Sequence, residues 1–147
     1  MARRRKAEHR VLVPDPKYNN ELVARLINYV MERGKKSTAE KIVYGALSEI
    51  ESVMNENPLE VLIRAIDNMK PRVEVRSRRV GGATYQVPVE ISRNRQLALA
   101  LRWLIQYSQT RRGVPMRKAI AMELMDAYKT QGAVVKKRDD THKMAQA

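Results

Sequence analysis

The 147-residue chain carries 29 lysines and arginines against 16 aspartates and glutamates, a formal net charge of +13 at pH 7. A charge of this size points to nucleic acid, an anionic membrane surface or an acidic protein as the partner. The chain has no cysteine, which excludes disulfides and thiolate metal sites, and no apolar run is long enough to span a membrane. We therefore expect a soluble intracellular protein with one sizeable core and no signal peptide.

The N-terminal residues 1–19 are basic, contain two prolines and show almost no apolar periodicity. Such a segment cannot bury enough apolar surface to fold by itself, so we expect an extended arm. From residue 22 to residue 30 apolar side chains recur at helical spacing and predict a first helix. Asn20 is its expected N-cap, and Gly34 is expected to stop it.

Two further helices are predicted between the arm and the middle of the chain. Ser37 and Glu40 have the spacing of a capping box, which predicts the start of a second helix. Asn57 is the expected cap of a third helix, with Pro58 at its first position. Pro71 forbids this helix to continue.

Two β-branched runs flank Gly81-Gly82 and predict a β-hairpin over residues 72–91. A two-residue turn at these glycines would place Val73 opposite Glu90. The valine faces of the two strands match only with an odd-length connection, because side chains alternate along a strand. The pattern therefore favours a three-residue loop with a glycine in the left-handed conformation.

Three more helices are predicted after the hairpin. Ser92 is expected to cap the fourth helix, Pro115 to open the fifth and Gly132 to stop it, and the last fifteen residues are expected to form the sixth. The predicted fold class is mostly α: a single helical domain over residues 1–147, of about six helices. The arm at 1–19 and a protruding two-stranded β-ribbon at 72–91 complete it.

The positive charge is concentrated at element ends, in loops, in the ribbon and in the tail. The basic segments are 1–10, 33–41, 70–95, 111–118 and 129–143. The acids gather in two predicted helices, at Glu49, Glu51, Glu56, Glu60 and Asp67. A merely solvated surface mixes the two signs more evenly, so this separation favours a binding surface.

The ribbon tip gives the clearest candidates for binding, because a hairpin tip has no core for its arginines to serve. Elsewhere a structural role competes. Lysines in a short loop are commonly just solvated, and Arg111 and Arg112 follow a helix C-terminus, where the dipole alone favours cations. The candidate cations are Arg3, Arg4, Arg5, Lys6, Arg10, Lys35, Lys36, Arg76, Arg78, Arg79, Arg111, Arg112, Lys136, Lys137 and Arg138.

The sequence gives little support to an enzyme. The two histidines, His9 and His142, each lack a second histidine at zinc-binding spacing. The run G-K-K-S is not a phosphate loop, because Tyr29 stands where that motif needs glycine and Lys36 where it needs Ser or Thr. We predict no catalytic residue, metal site or cofactor.

The kind of nucleic acid follows from what the chain lacks. Modules that stack bases need aromatic platforms, and this chain has no Phe and six scattered Tyr. Binding to folded RNA by shape and phosphate contact fits best. An architectural DNA-binding protein with a β-ribbon arm is the alternative, although its apolar wedge is missing at the tip. A nucleic-acid enzyme is a third hypothesis.

Several long motifs resemble those of one family, the bacterial-type seventh protein of the small ribosomal subunit, over essentially the whole chain. The motifs are D-P-K-Y at 15–18, G-K-K-S-T-A at 34–39, V-E-V-R-S-R-R-V-G-G-A-T-Y-Q-V-P-V-E at 73–90, A-L-R-W at 100–103 and A-V-V-K-K-R-D-D-T-H-K-M-A at 133–145. Family members usually continue into an alanine-rich tail beyond the last motif. This sequence stops at Ala147, so the resemblance carries no expectation for that tail.

The resemblance implies a structural constituent of the small ribosomal subunit, located in the cytoplasm or in an organelle. It implies direct binding to the 3′ major domain of 16S rRNA and nucleation of head assembly. It also implies a place at the subunit interface near the exit-site tRNA and mRNA, beside small-subunit proteins nine and eleven, with no membrane contact or homo-oligomer. It adds Gly81, Gly82 and Arg95 as RNA contacts, and Arg93, in the same basic segment, completes the candidate set.

Overall fold

The computed structural model describes residues 5, 7–8 and 10–146 and confirms the mostly helical fold with a two-stranded antiparallel ribbon. The helices before the ribbon pack against one another, and the helices after the ribbon pack against these first helices. The elements are α1 (Glu21–Val30), α2 (Lys36–Met54), α3 (Pro58–Met69), β1 (Val73–Val80), β2 (Ala83–Glu90), α4 (Arg93–Gln109), α5 (Met116–Tyr128) and α6 (Ala133–Gln146).

Three of the expected N-caps are present. The side-chain oxygens of Asn20, Asn57 and Ser92 accept backbone N–H bonds from the first turns of α1, α3 and α4, at 2.8, 3.0 and 3.3 Å. Each bond satisfies an N–H group that has no partner within its own helix. Pro58 occupies the first turn of α3 as predicted.

The capping box predicted for α2 is wrong. The helix begins at Lys36, so Ser37 already lies inside the first turn, and the capping position belongs to Lys35, which makes no side-chain cap bond. The cause lies in the preceding turn. Gly34 adopts φ +74° and starts the helix earlier than the side-chain pattern suggested.

The three-residue ribbon loop is also wrong. Val80 pairs with Ala83 across a two-residue turn, and Val73 therefore stands opposite Glu90. Gly81 and Gly82 both have positive φ, +56° and +83°, as a type I′ turn requires. Turn geometry decided the register because the outer half of the ribbon is exposed on both faces, so no buried face selects the pairing.

The core forms where α5 packs against α2, α3 and α4. Leu or Ile side chains that are fully buried contribute about 1.5–3 kcal/mol each. Trp103 of α4 is also buried. Large side chains that are almost completely buried include Leu47, Ile50, Leu62, Ile66, Leu101, Leu104, Ile120 and Leu124.

Gly132 lies in the turn between α5 and α6, beyond the end of α5 at Tyr128. Its φ is +94°, and a Cβ there would lie 2.9 Å from the Cβ of Asp126. Gly132→Ala should therefore be destabilising through both backbone strain and a steric clash. We expect a loss of about 1–2 kcal/mol from the left-handed backbone and about 1 kcal/mol more from overpacking.

Gly113→Ala is the matched control, since Gly113 has φ +76° and a Cβ there would meet no atom of the described residues within 4 Å. Urea unfolding of the two variants measures the difference. Equal losses would show that the approach to Asp126 costs nothing.

Candidate nucleic-acid interface

The tip of the ribbon carries positive charge on both of its faces. Arg78 pairs across the ribbon with Tyr85 and Arg79 with Thr84, and neighbouring residues on a strand point to opposite faces. Both arginines are exposed, and neither forms an ion pair with any residue that the structure describes. Gly81 and Gly82 are exposed at the turn between the two strands. Nothing in the described fold uses these charges.

The base of the ribbon is tied to α4 by one carboxylate. Glu74 lies 3.2 Å from the Nη2 of Arg76 and 3.5 Å from the Nη2 of Arg95. Its side chain is only 16% exposed, whereas the arginine side chains are 64% and 40% exposed. Arg93, at the first position of α4, is exposed close by in the chain. Glu74 and exposed Glu90 oppose four arginines there, Arg72, Arg76, Arg93 and Arg95, so the ribbon base remains cationic.

Helix α6 packs against both ribbon strands, with His142, Ala145 and Gln146 at the ribbon base, and its basic segment lies nearer its N-terminal end, beside α4. Lys136 and Lys137 are exposed, and the Nζ of Lys137 lies 6.0 Å from the ring centre of Trp103. Arg138 is used inside the fold, because it donates to the carbonyl of Asn68 and pairs with Asp139 at 2.8 Å. We define the ribbon patch as Arg76, Arg78, Arg79, Arg93, Arg95, Lys136 and Lys137.

A second group of exposed cations lies where α1 joins α2. Lys35 and Lys36 are exposed in and after this turn. Lys35 lines one cleft together with Gln109, at the end of α4, and Met116, at the start of α5. The connection between these two helices carries exposed Arg112. We define the loop patch as Lys35, Lys36 and Arg112.

Helix α4 separates the two patches. It runs from Arg93, in the ribbon patch, to Gln109, next to the loop patch. Its 17 residues correspond to a length of about 25 Å. The structure therefore gathers the candidate cations into two surfaces: the loop patch at the C-terminal end of α4, and the ribbon patch, which extends from its N-terminal end to the neighbourhood of Trp103.

Arg111, like Arg138, is a candidate that is bound within the fold. Its Nε lies 3.0 Å from Glu123 and its Nη2 3.0 Å from Asp126. Glu123 is only 3% exposed, and its Oε2 has no hydrogen-bond partner among the described residues. A sequence signal existed: Glu123 falls among the buried positions of α5, where a carboxylate needs a partner.

The arm candidates fall into two groups. Arg5 and Arg10 are exposed, while Arg3, Arg4 and Lys6 lie outside the described residues. The later part of the arm, Asp15–Asn20, forms a turn against the helices, centred on buried Asp15. Sequence reasoning singled out this motif but assigned it no role.

The sequence analysis also missed a contact between α6 and the ribbon. The backbone N–H of Arg72 donates to the Nε2 of His142 at 3.0 Å. Burial lowers the pKa of His142 below 6.5, and Arg138 and Arg72 lower it further, against an opposing effect of Asp139. The imidazole is therefore held neutral, with Nε2 as the acceptor.

Neither metal nor membrane chemistry is indicated. Within residues 5, 7–8 and 10–146, no group of three or more His, Asp or Glu side chains is placed to hold a metal ion. Over the same residues, no helix combines the length and the apolarity needed to cross a bilayer.

Known proteins resemble this chain over its whole length. The family described as ribosomal protein S7p/S5e matches residues 2–147. The chain is 54% identical to the small ribosomal subunit protein uS7 of Anaeromyxobacter sp. (strain K), over 100% of this chain and 94% of that protein. The proteins of the same name from Geotalea uraniireducens (strain Rf4) and Sorangium cellulosum (strain So ce56) are 52% and 54% identical, with the same coverage.

These matches define a protein of the small ribosomal subunit. The chain belongs to the S7p/S5e family of ribosomal proteins, whose bacterial members are called uS7. The family that the motifs resembled is confirmed, and with it a structural, non-enzymatic role in the small subunit and a location in the cytoplasmic ribosome.

The neighbouring residues Arg111 and Arg112 should differ sharply when replaced by alanine. Arg111→Ala leaves buried Glu123 without its partner, and we expect a loss of about 3 kcal/mol in the free energy of unfolding. Arg112→Ala, which removes the same charge from an exposed side chain, should change stability by less than about 0.5 kcal/mol. Chemical denaturation of both variants tests the difference, and similar losses would contradict a structural role specific to Arg111.

His142 should make the stability depend on pH. Because its pKa is lowered in the folded chain, the unfolded chain binds the proton more readily, and acid favours unfolding. The stabilisation is complete above about pH 6.5 and is lost as the pH falls through the lowered pKa of the folded state. Thermal unfolding between pH 5.5 and 7.5 measures this loss.

His142→Gln is the control, since its side-chain carbonyl accepts a hydrogen bond at every pH. The variant should show a flatter stability profile over this range. If the profiles of the two proteins were parallel, His142 would not be the titrating group.

Proposed function

We propose that this chain binds the 3′ major domain of 16S rRNA directly and starts the assembly of the head of the small subunit. The observation that supports this best is the pair of cationic patches at the two ends of α4. Outside Arg76 and Arg95, which share Glu74, the cations of these patches form no ion pair with the residues described. Phosphates of a folded RNA supply the missing negative charge.

The RNA-binding set of this proposal follows the two patches and the arm. Arg5, Arg10 and the arm cations at 3, 4 and 6 belong to this set, and Gly81 and Gly82 let the ribbon backbone approach RNA closely. Arg111 and Arg138 stabilise the fold instead of contacting RNA, since both are bound to groups of the chain itself. The proposal includes a position at the subunit interface, with the ribbon near the exit-site tRNA and mRNA, beside small-subunit proteins nine and eleven.

Replacing Arg78 and Arg79 by alanine should weaken RNA binding without affecting the fold. If the intact protein neutralises about eight phosphates, the log–log slope of affinity against salt is roughly −6 to −7. Loss of two contacts should reduce that slope by about 2. Filter binding to the 3′ major domain RNA across salt concentrations measures it, and thermal unfolding should be nearly unchanged because both side chains are exposed.

The double substitution Arg64→Gln and Lys70→Gln is the matched control, because it also removes two positive charges, one in α3 and one at the residue that follows α3. There Arg64 lies over the ring of Tyr128, and Lys70 pairs with Asp67 at 3.1 Å. An equal loss of affinity in this control would mean that only net charge matters. A flat salt dependence of the intact protein would contradict direct phosphate binding, and equal affinity for duplex DNA at matched salt would favour an architectural DNA-binding protein.

A further inference from the structure

The turn at Asp15–Asn20 is built around a carboxylate that is almost completely buried. Asp15 is 4% exposed and accepts backbone N–H bonds from Lys17, Tyr18 and Asn20, at 3.1, 2.7 and 3.0 Å. Three donors converging on one buried carboxylate fix the conformation of this segment. Asn20 is itself the cap of α1, so the turn is continuous with the helical body.

Helix α2 holds the same carboxylate from the other side. The hydroxyl of Tyr44 donates to Asp15 at 3.2 Å, and burial together with this bond raises the pKa of Tyr44 to about 12. The rings of Tyr18 and Tyr44 lie 5.9 Å apart, with the Nζ of Lys17 5.7 and 5.2 Å from their centres. A charged hydrogen bond, an aromatic pair and a cation over both rings thus fasten one short segment.

The chain before this turn runs along the body toward the loop patch. Residues 12–16 line a cleft with Ala24 and Ile27 of α1 and with Lys36 in the first turn of α2. Val11 and Val13 are 91% and 78% exposed, so burial of their side chains does not hold the segment in place. The Asp15 turn, together with half-buried Leu12, therefore holds this segment beside Lys36 of the loop patch.

We propose that Asp15 is a positioning residue for RNA binding: it fixes the direction of the basic arm so that the arm and the loop patch bind one stretch of RNA together. This inference rests on the proposed rRNA binding. Asp15 contacts no RNA in this scheme, and its negative charge opposes binding. Its contribution is to restrict the orientations of the attached cationic segment before RNA arrives, which lowers the entropy lost on binding.

Asp15→Asn separates positioning from electrostatics. The substitution keeps the size of the side chain but removes a negative charge, which by electrostatics alone strengthens RNA binding. Positioning requires the opposite, because an amide cannot replace the carboxylate against three N–H donors. We expect affinity for the 3′ major domain of 16S rRNA to fall about fivefold. Tyr44→Phe removes the bond from α2 without a change of charge and should show a smaller loss.

The decisive measurement combines these variants with a full-length chain whose arm cations are neutralised. In that background Arg3, Arg4, Arg5, Lys6 and Arg10 are replaced by Gln. If Asp15 acts through the arm, Asp15→Asn should cost less than about twofold there, since the arm no longer contributes. Asn57→Ala, which removes the cap of α3, is the control for general destabilisation and should have the same effect in both backgrounds.

Each result supports or overturns the inference. Equal losses for Asp15→Asn in both backgrounds, or unchanged or tighter binding in the natural background, would overturn it. If Asp15→Asn does not fold, Tyr44→Phe decides by the same comparison, and an equal loss in both backgrounds overturns it. Failure of the unsubstituted chain to bind this RNA would instead refute the proposed function.

Discussion

Repulsion among the exposed cations of the ribbon and loop patches is the constraint on which this structure depends. The formal charge is +13, and the exposed arginines and lysines of the ribbon and loop patches raise the free energy of the compact state. In the folded chain, one set of side chains stabilises the body and a different set carries the exposed charge. Apolar side chains from six helices hold the body together, and the cations of the two patches lie on its exposed surface, where they are well solvated.

Three carboxylates that are largely buried lie where elements meet. Asp15 joins the arm to α2, Glu74 joins the ribbon to α4, and Glu123 joins the end of α4 to α5. Each is less than one fifth exposed, so its interactions are weakly screened and worth more than those of a surface pair. Negative charge in this chain therefore orients the cationic elements, and it leaves most of their cations free.

How much could be predicted from the sequence depended on which interaction decides each feature. Caps at Asn20, Asn57 and Ser92 act within one turn of helix, and the sequence was enough to find them. The register of the ribbon was misjudged because a type I′ glycine turn, not a buried face, selected it. Arg111 and Arg112 look alike in the sequence, and only the packing of α4 on α5 shows which of them meets Glu123.

The separation of the two patches also bears on what kind of RNA this surface can recognise. The middle of α4 is fixed by Leu101 and Leu104, which are 1% and 0% exposed, so the distance between the patches cannot adjust to a ligand without disrupting the core. Phosphate contacts carry no sequence information by themselves. When two groups of phosphate contacts lie at a fixed spacing of about 25 Å, however, they select an RNA fold in which the backbone passes both ends of the helix. Recognition by shape then follows from a rigid apolar helix, and the cations supply the affinity.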